Sequence, residues 1–358
     1  MWSLEYISQS VDSWLNATFN PTITFLVEAL IIMVLAIGLF AIVGLVLVYM
    51  ERKVAAVMQI RLGPNRVGPK GMFQTVADTL KLIVKENMTP NDVDRFLFNT
   101  APFIVMITAM VVLAPLAFAK GFQIWDLNIG ILFMTAVSSV SVIGVLMAGW
   151  SSNNKYSLLG AMRSGAQIVS YELSAGLSIL VIVILSGSLQ ISEIVNAQAN
   201  GWWIFKGHLP AIIAFIIYII AATAETNRAP FDMAEAESEL TAGFHTEYSG
   251  MKFALFFLAE YVNVFIVCAI GATLFLGGWM PLHFGTDTVF NQIMDYIPGI
   301  VWFFGKTFFL IFVLMWFRWT FPRLRIDQLL NLEWKYLLPI CMFNLLLVTL
   351  IAISGWHF

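Results

Sequence analysis

Eight long apolar runs, separated by polar connections, leave this chain few folds to choose from. They lie at about residues 23–49, 98–119, 127–150, 166–185, 209–223, 253–276, 299–317 and 336–356. About 18 or more apolar residues wound as a helix cross a hydrocarbon core of roughly 30 Å, whereas a membrane β-barrel needs strict two-residue alternation over roughly 10-residue segments. That alternation is absent. With 59% hydrophobic and 11% charged residues, the chain reads as all-α: a polytopic bundle of eight transmembrane helices forming one membrane domain over residues 1–358. Residues 1–20 carry Glu5 and Asp12 but no Lys, Arg or early apolar core, so they read as a short surface segment and not as a cleavable signal.

The polar connections differ in kind. The first, about 51–99, holds eight basic residues and the segment Arg61-Leu-Gly-Pro-Asn-Arg-Val-Gly-Pro-Lys-Gly71, whose glycines and prolines make a stiff, turn-rich loop. From chemistry alone its role is structural or partner-binding. Residues 72–86 follow as an amphipathic helix, with Phe73, Val76, Leu80 and Val84 on one side and Gln74, Asp78, Lys81 and Lys85 on the other. It is too short and too charged to span, and belongs at the interface or against the bundle.

With eight spans, connections 1–2, 3–4, 5–6 and 7–8 share one side. They hold every Lys and Arg except Lys120, Lys206 and Lys306, which is 16 of the 19. The positive-inside rule puts that side in the cytoplasm and both termini on the periplasmic side of a bacterial inner membrane, or the corresponding faces of the mitochondrial inner membrane.

Connection 5–6, residues 224–247, carries six of the chain's 22 carboxylates: Glu225, Asp232, Glu235, Glu237, Glu239 and Glu247. Within it only Arg228 is permanently positive. Like charges crowded beside hydrocarbon raise one another's pKa. Apolar Pro230, Phe231, Met233, Leu240 and Phe244 are interleaved with them, and flanking spans without spacers keep the stretch close to the membrane. A partly buried, wet carboxylate chain is the expectation. Glu172 and Glu260 lie inside the fourth and sixth runs. A carboxylate there costs roughly 2.5–3.5 kcal/mol even on the lenient insertion scale and by default marks an ion or proton path. The competing reading is an inter-helix hydrogen bond to a neighbour such as Tyr171 or Tyr261.

Other chemistries find no support. Cys268 and Cys341 sit in separate apolar runs, the four histidines are scattered, and there is no phosphate-binding loop, dinucleotide fingerprint or HExxH motif. A net charge of −3 gives no sign of nucleic acid as a partner.

Several stretches also carry a resemblance. Glu51-Arg-Lys53, the Arg61–Gly71 loop, GMFQTVADTLKLIVKE (71–86), GWSSNNKYSLLG (149–160), Tyr171-Glu-Leu173 and AETNRAPFDMAEAE (224–237) resemble, in this order, the H subunit of proton-pumping NADH:quinone oxidoreductase, respiratory complex I, whose mitochondrial equivalent is NADH dehydrogenase subunit 1. The likeness spans about residues 23–355; residues 1–20 and 277–298 carry no motif of that family. It implies a translocase subunit without a redox centre of its own, binding no cofactor alone. FMN and iron–sulfur clusters would belong to partner membrane and peripheral subunits, ubiquinone or menaquinone would be the substrate, and membrane lipids would surround it. By motif position, Glu172, Glu225 and Glu260 would relay protons. Asp232, Glu235, Glu237 and Glu239 would form a loop that reorganises during turnover. Arg61, Arg228, Glu51, Phe73 and Asp78 would line or flank the quinone chamber. The third span has no acid after Leu127, so a relay there would use water or the hydroxyls of Ser138, Ser139 and Ser141. Three rivals stand beside this reading: the related subunit of a membrane-bound hydrogenase or of a reduced-deazaflavin dehydrogenase, a stand-alone proton-coupled transporter, and a pure scaffold.

Overall fold

The computed structural model describes Ser13 and residues 20–234, 237–283 and 289–354. The rest of the N-terminal surface segment and Glu235 lie outside the described residues, as does the side chain of Glu237. Among the described residues regular structure is helical, and eight helices are long and apolar enough to cross a membrane. The long helices are α1 (Pro21–Met58), α3 (Arg95–Val112), α4 (Gly130–Ser151), α5 (Lys155–Ser186), α6 (His208–Glu225), α7 (Gly250–Phe275) and α8 (Gly299–Thr320). The last crossing joins α9 (Ile326–Leu332), a π-helical turn (Glu333–Leu337) and α10 (Leu338–Ile353); the amphipathic helix is α2 (Gln74–Val84).

The centre of the bundle is α7, which packs against α1, α2, α3, α6 and α8. Nearly every side chain from Tyr261 to Phe275 is buried, as expected of a helix that is apolar all round. Outer helices turn large apolar residues outward instead: Leu26, Leu30 and Leu35 on α1, Phe343 and Leu350 on α10. Hydrocarbon provides no hydrophobic drive between helices, so small residues and close contact do the joining. At Gly144 on α4, an added Cβ would meet Val105 Cγ2 of α3 at 2.5 Å.

Four boundaries differ from the hydropathy reading. Helix α1 continues past residue 49, through Glu51-Arg52-Lys53, to Met58. Helix α3 stops at Val112, which places Pro115 beyond its end and not at a kink; Asp94 caps its start by accepting from the amides of Phe96 and Leu97. Helix α5 starts at Lys155, about a dozen residues before the apolar run, with the Asn154 side chain accepting from Tyr156 N. Its polar first turns are hidden from hydropathy because they pack on protein: Gly160 faces the backbone of Gly243. The last crossing begins at Ile326, so the basic connection after α8 shrinks to residues 321–325.

The Arg61–Gly71 loop folds back on the end of α1. Tyr49 donates to Lys70 O, and Lys53 donates to Pro64 O at 2.7 Å. Gly71 has φ +80° and lies so close to Pro64 that a Cβ would sit 2.2 Å from its carbonyl oxygen, so only glycine fits.

At Gly160 a Cβ would approach the Gly243 backbone to 2.9 Å. Gly160→Val is therefore expected to destabilise by about 1–3 kcal/mol through overpacking, whereas Gly38→Val, with open space around it, is expected to be neutral. Thermal inactivation of membranes carrying each variant measures the difference.

Candidate functional site

The triplet Glu51-Arg52-Lys53 projects from successive faces of α1, about 100° apart. Arg52 reaches out to Asp78 of α2 at 2.5 Å, and Lys53 reaches the Gly-Pro loop. Glu51 points into the bundle, where it is 7% exposed. There Arg228 Nη1 donates to both its carboxylate oxygens, at 3.1 and 3.3 Å, and Arg318 of α8 pairs with the same carboxylate. Arg228 Nη2 lies 3.2 Å from Glu260 of α7, and its guanidinium stacks 4.3 Å from the centre of the Tyr261 ring. Two cations and two carboxylates thus form a formally neutral cluster, and Glu51, Arg228, Arg318 and Tyr261 border a void of about 10 Å³, the size of one water.

A larger cavity of about 160 Å³, apolar over most of its wall but with a group of polar side chains, opens between α3, α4, α5, α6 and α7. Glu172 and Glu225 both line it, together with Tyr218, Asn263 and the hydroxyls of Thr108, Thr135, Ser138 and Ser141. Ser139 of α4 donates to Glu172. Apolar voids stay dry, but one with this many polar groups and room for several waters is suited to be wet. Short steps in sequence join cavity and cluster. Arg228 follows Glu225 by three residues, just past the end of α6, and Asn263 follows Glu260 by three residues, one turn along the same face of α7.

The acidic connection folds over the same end of the bundle. Gln167 of α5 donates to Ala224 O and Phe231 O, both at 2.7 Å, and to Asn227 Oδ1. Asp232 keeps one carboxylate oxygen buried without a hydrogen-bond partner among the described residues. Glu239 pairs with Arg163 at 2.6 Å and with Arg323 at 3.9 Å. For Glu239 this reverses the sequence expectation: the Arg163 hydrogen bond holds its carboxyl below the usual carboxylate range. The stretch contains only Arg228 as a cation, but tertiary folding brings Arg163 and Arg323 to it. Glu247 accepts from Asn154 Nδ2 at 2.6 Å. His245 sits edge-on between the Phe244 and Phe253 rings, and burial pushes it down to about 4.

Comparison with known proteins now decides the family. The family model described as NADH dehydrogenase matches residues 29–349. The H subunit of NADH-quinone oxidoreductase from Bacteroides fragilis is 57% identical over 352 residues, covering 97% of this chain and 98% of that protein. The H subunit from Bacteroides thetaiotaomicron is 56% identical over 358 residues, covering both chains fully, and that from Brevibacillus brevis is 45% identical over 344 residues, 96% of each chain. The chain belongs to the NADH dehydrogenase family. Its relatives are the H subunit of NADH-quinone oxidoreductase, a membrane subunit of complex I.

The residues that the family resemblance singled out fall into separate places. Glu51, Arg228 and Glu260 meet in the buried cluster, and Glu172 and Glu225 meet in the cavity. Asp232 and Glu239 lie in the overlying connection. Arg61, Phe73 and Asp78 are not in the cluster. Arg61 is exposed and donates to Gln59, while the 57%-exposed Phe73 and the Asp78–Arg52 pair belong to the α1–α2 shoulder. Sequence reasoning missed Arg318, Asn263 and Gln167 as site members. A lone Asn or Gln in an apolar run was the available signal for two of them; Arg318 looked like one more charge in a basic connection. Among the described residues no His, Cys, Asp and Glu groups gather as metal ligands, and both cysteines are buried and free.

Removing one member of a buried ion cluster strands its partners. Arg228→Met is expected to cost about 3–5 kcal/mol, and Arg228→Met with Glu260→Gln is expected to recover part of that in thermal unfolding of the assembled complex. Acid should also loosen the acidic connection through His245. Its folded value lies below the ordinary 6.5, so the neutral ring's contribution is complete above about 6.5 and is lost as pH falls toward 4. Near about pH 5 this amounts to about 1–2 kcal/mol, and His245→Gln should flatten the acid limb of a stability-against-pH curve.

Proposed function

We propose that this chain is the membrane subunit of an NADH-quinone oxidoreductase that helps form the quinone chamber and couples quinone reduction to proton movement through its buried carboxylates. The observation that carries this reading is the cavity holding Glu172 and Glu225, one helical step from the Arg228 ion cluster. A wettable space lined by two carboxylates at membrane depth has little structural use and a clear use in proton transfer.

In the mechanism, quinone enters along the α1–α2 shoulder. There Phe73, Leu80 and Val84 present an exposed apolar surface, with the Asp78–Arg52 pair beside it and Arg61 on the neighbouring loop. Reduction of a quinone to the neutral quinol takes up protons as well as electrons, and protons drawn from groups near Arg228 change the charge there. The cluster is formally neutral with Glu51, Glu260, Arg228 and Arg318 all ionised. A changed demand on Arg228 leaves Glu260 or Glu51 underpaired, and the carboxylates respond as a linked set. Glu260 then hands the change along α7 to Asn263, and thus to water, Glu225 and Glu172. Ser138 and Ser141 line the α4 wall and Ser139 donates to Glu172, the role a helix without acids can play. In this reading the connection whose sequence carries Asp232, Glu235, Glu237 and Glu239 is the switching loop, and the Glu239 pairs with Arg163 and Arg323 are the contacts such a switch would exchange.

The basic end of the bundle faces the cytoplasm in this proposal, with both termini periplasmic. Electrons arrive from iron–sulfur clusters and FMN in partner subunits, consistent with the names of the relatives, which specify NADH and quinone. Glu225→Gln in the assembled, membrane-embedded complex is expected to cut NADH-driven proton translocation at least about tenfold, the scale of a lost proton-transfer group. Quinone reduction and pumping both at unaltered rates would sink the relay.

A further inference from the structure

One buried acid has no part in this scheme. Glu333 lies in the π-helical turn before α10 and is 0% exposed. It is seven residues past the start of α9, about 10 Å into the crossing at 1.5 Å per residue. Ser174 of α5 donates to its Oε1, and its Oε2 is buried with no hydrogen-bond partner among the described residues. Around it is an apolar cluster that includes Ala175 of α5, Ile217 and Ala221 of α6, and Leu329 and Leu337. The titratable groups in that cluster are Tyr171 and Cys341, and neither offers a permanent positive charge.

This setting completes neither protonation state. Among the described residues an ionised Glu333 has one hydroxyl donor and no ion-pair partner; a protonated one can turn its hydrogen from Oε1 to Ser174 Oγ, but Oε2 is then left without a donor. Burying a carboxyl this way is costly, and a stable structural group would be expected to settle one state. The position is also distinctive. Glu172 and Ser174 are two residues apart on α5, about 200° around the helix. Glu172 faces the cavity, and Ser174 with Glu333 faces the opposite side. Two contacts join that side to the acidic connection. The Tyr171 ring packs 5.4 Å from Phe231, and Leu324 N donates to Pro230 O at 3.1 Å. Tyr171 in turn donates to Leu329 O, one turn before Glu333. The π-turn, a helical defect that recurs at functional sites, is where Glu333 is set.

We propose that Glu333 is a second proton-holding carboxylate, on the face of α5 opposite Glu172, that exchanges its proton with water when Pro230 and Phe231 shift away from Tyr171 and Leu324. The proton bonds to the Glu333 carboxylate and passes to or from water at the basic end of the bundle, so no further reactant is required. The inference rests on the proposed function, because it takes the movement of the acidic connection from that reading.

Redox-difference infrared spectroscopy of the assembled complex in membranes, driven by NADH with added quinone, tests it. Glu333→Gln keeps the size and the Ser174 contact; it is expected to remove one carboxyl band from the difference spectrum. Ser174→Ala is expected to shift that band without removing it. If Glu333→Gln leaves every carboxyl band in place while Glu172→Gln or Glu225→Gln removes one, Glu333 is only structural and the proposed function stands. If none of the three carboxyl variants alters the spectrum, the proposed function falls as well. Should Glu333→Gln fail to assemble, Ser174→Ala decides: an unshifted spectrum overturns the proposal.

Discussion

A guanidinium buried away from water has to be neutralised, and Arg228 meets that demand only by drawing three helices together. Glu51 comes from α1, Glu260 and Tyr261 from α7, and Arg318 of α8 balances the second charge of the set. The connection after α6 is thereby fastened to the middle of the bundle. In water each such pair would be worth little. Here, inside a protein surrounded by hydrocarbon, losing one member leaves a charge with nowhere to go. That requirement fixes how α1, α7 and α8 meet at the basic end, and α7 goes on from there to line the cavity with Asn263.

Helix α5 organises the other half of the site. One face gives Glu172 to the cavity, and the opposite face gives Ser174 and Tyr171 to the last crossing. Its polar first turns supply Arg163 and Gln167 to the acidic connection. A helix with chemistry on all sides cannot present a plain apolar stripe, and this is why hydropathy placed its start at residue 166 and not at Lys155. The same cause hid Glu333. In sequence it sits next to Trp334 and Lys335 after a basic stretch and reads as the end of a connection, while in the fold it is a wholly buried side chain.

What was legible in the sequence follows the strength of the physical signal. Eight crossings could be read because lipid exposure demands long apolar stretches, and Glu172 and Glu260 stood out because acids inside such stretches are expensive. That α4 would contribute hydroxyls in place of acids could be read from Ser138, Ser139 and Ser141. Pairings across the bundle could not be read. Nothing in the order of residues says that Arg318 meets Glu51 across 267 positions, or that Arg163 reaches Glu239. The Arg61–Gly71 loop illustrates the middle case: its glycines announce an unusual backbone, but that Gly71 leaves no room for a Cβ against Pro64 is a fact of the folded chain.

Gln167 fastens the connection with two N–H donors shared among three acceptors. Its amide nitrogen holds Ala224, Phe231 and Asn227 at once, yet its own carbonyl oxygen is buried with no hydrogen-bond partner among the described residues. An orphaned acceptor costs about 1–3 kcal/mol, enough to offset one or two neutral hydrogen bonds. The seated loop is therefore held more loosely than its bond count suggests. Because one side chain makes all three contacts, they form and break together. Such a fastening holds or fails as one unit.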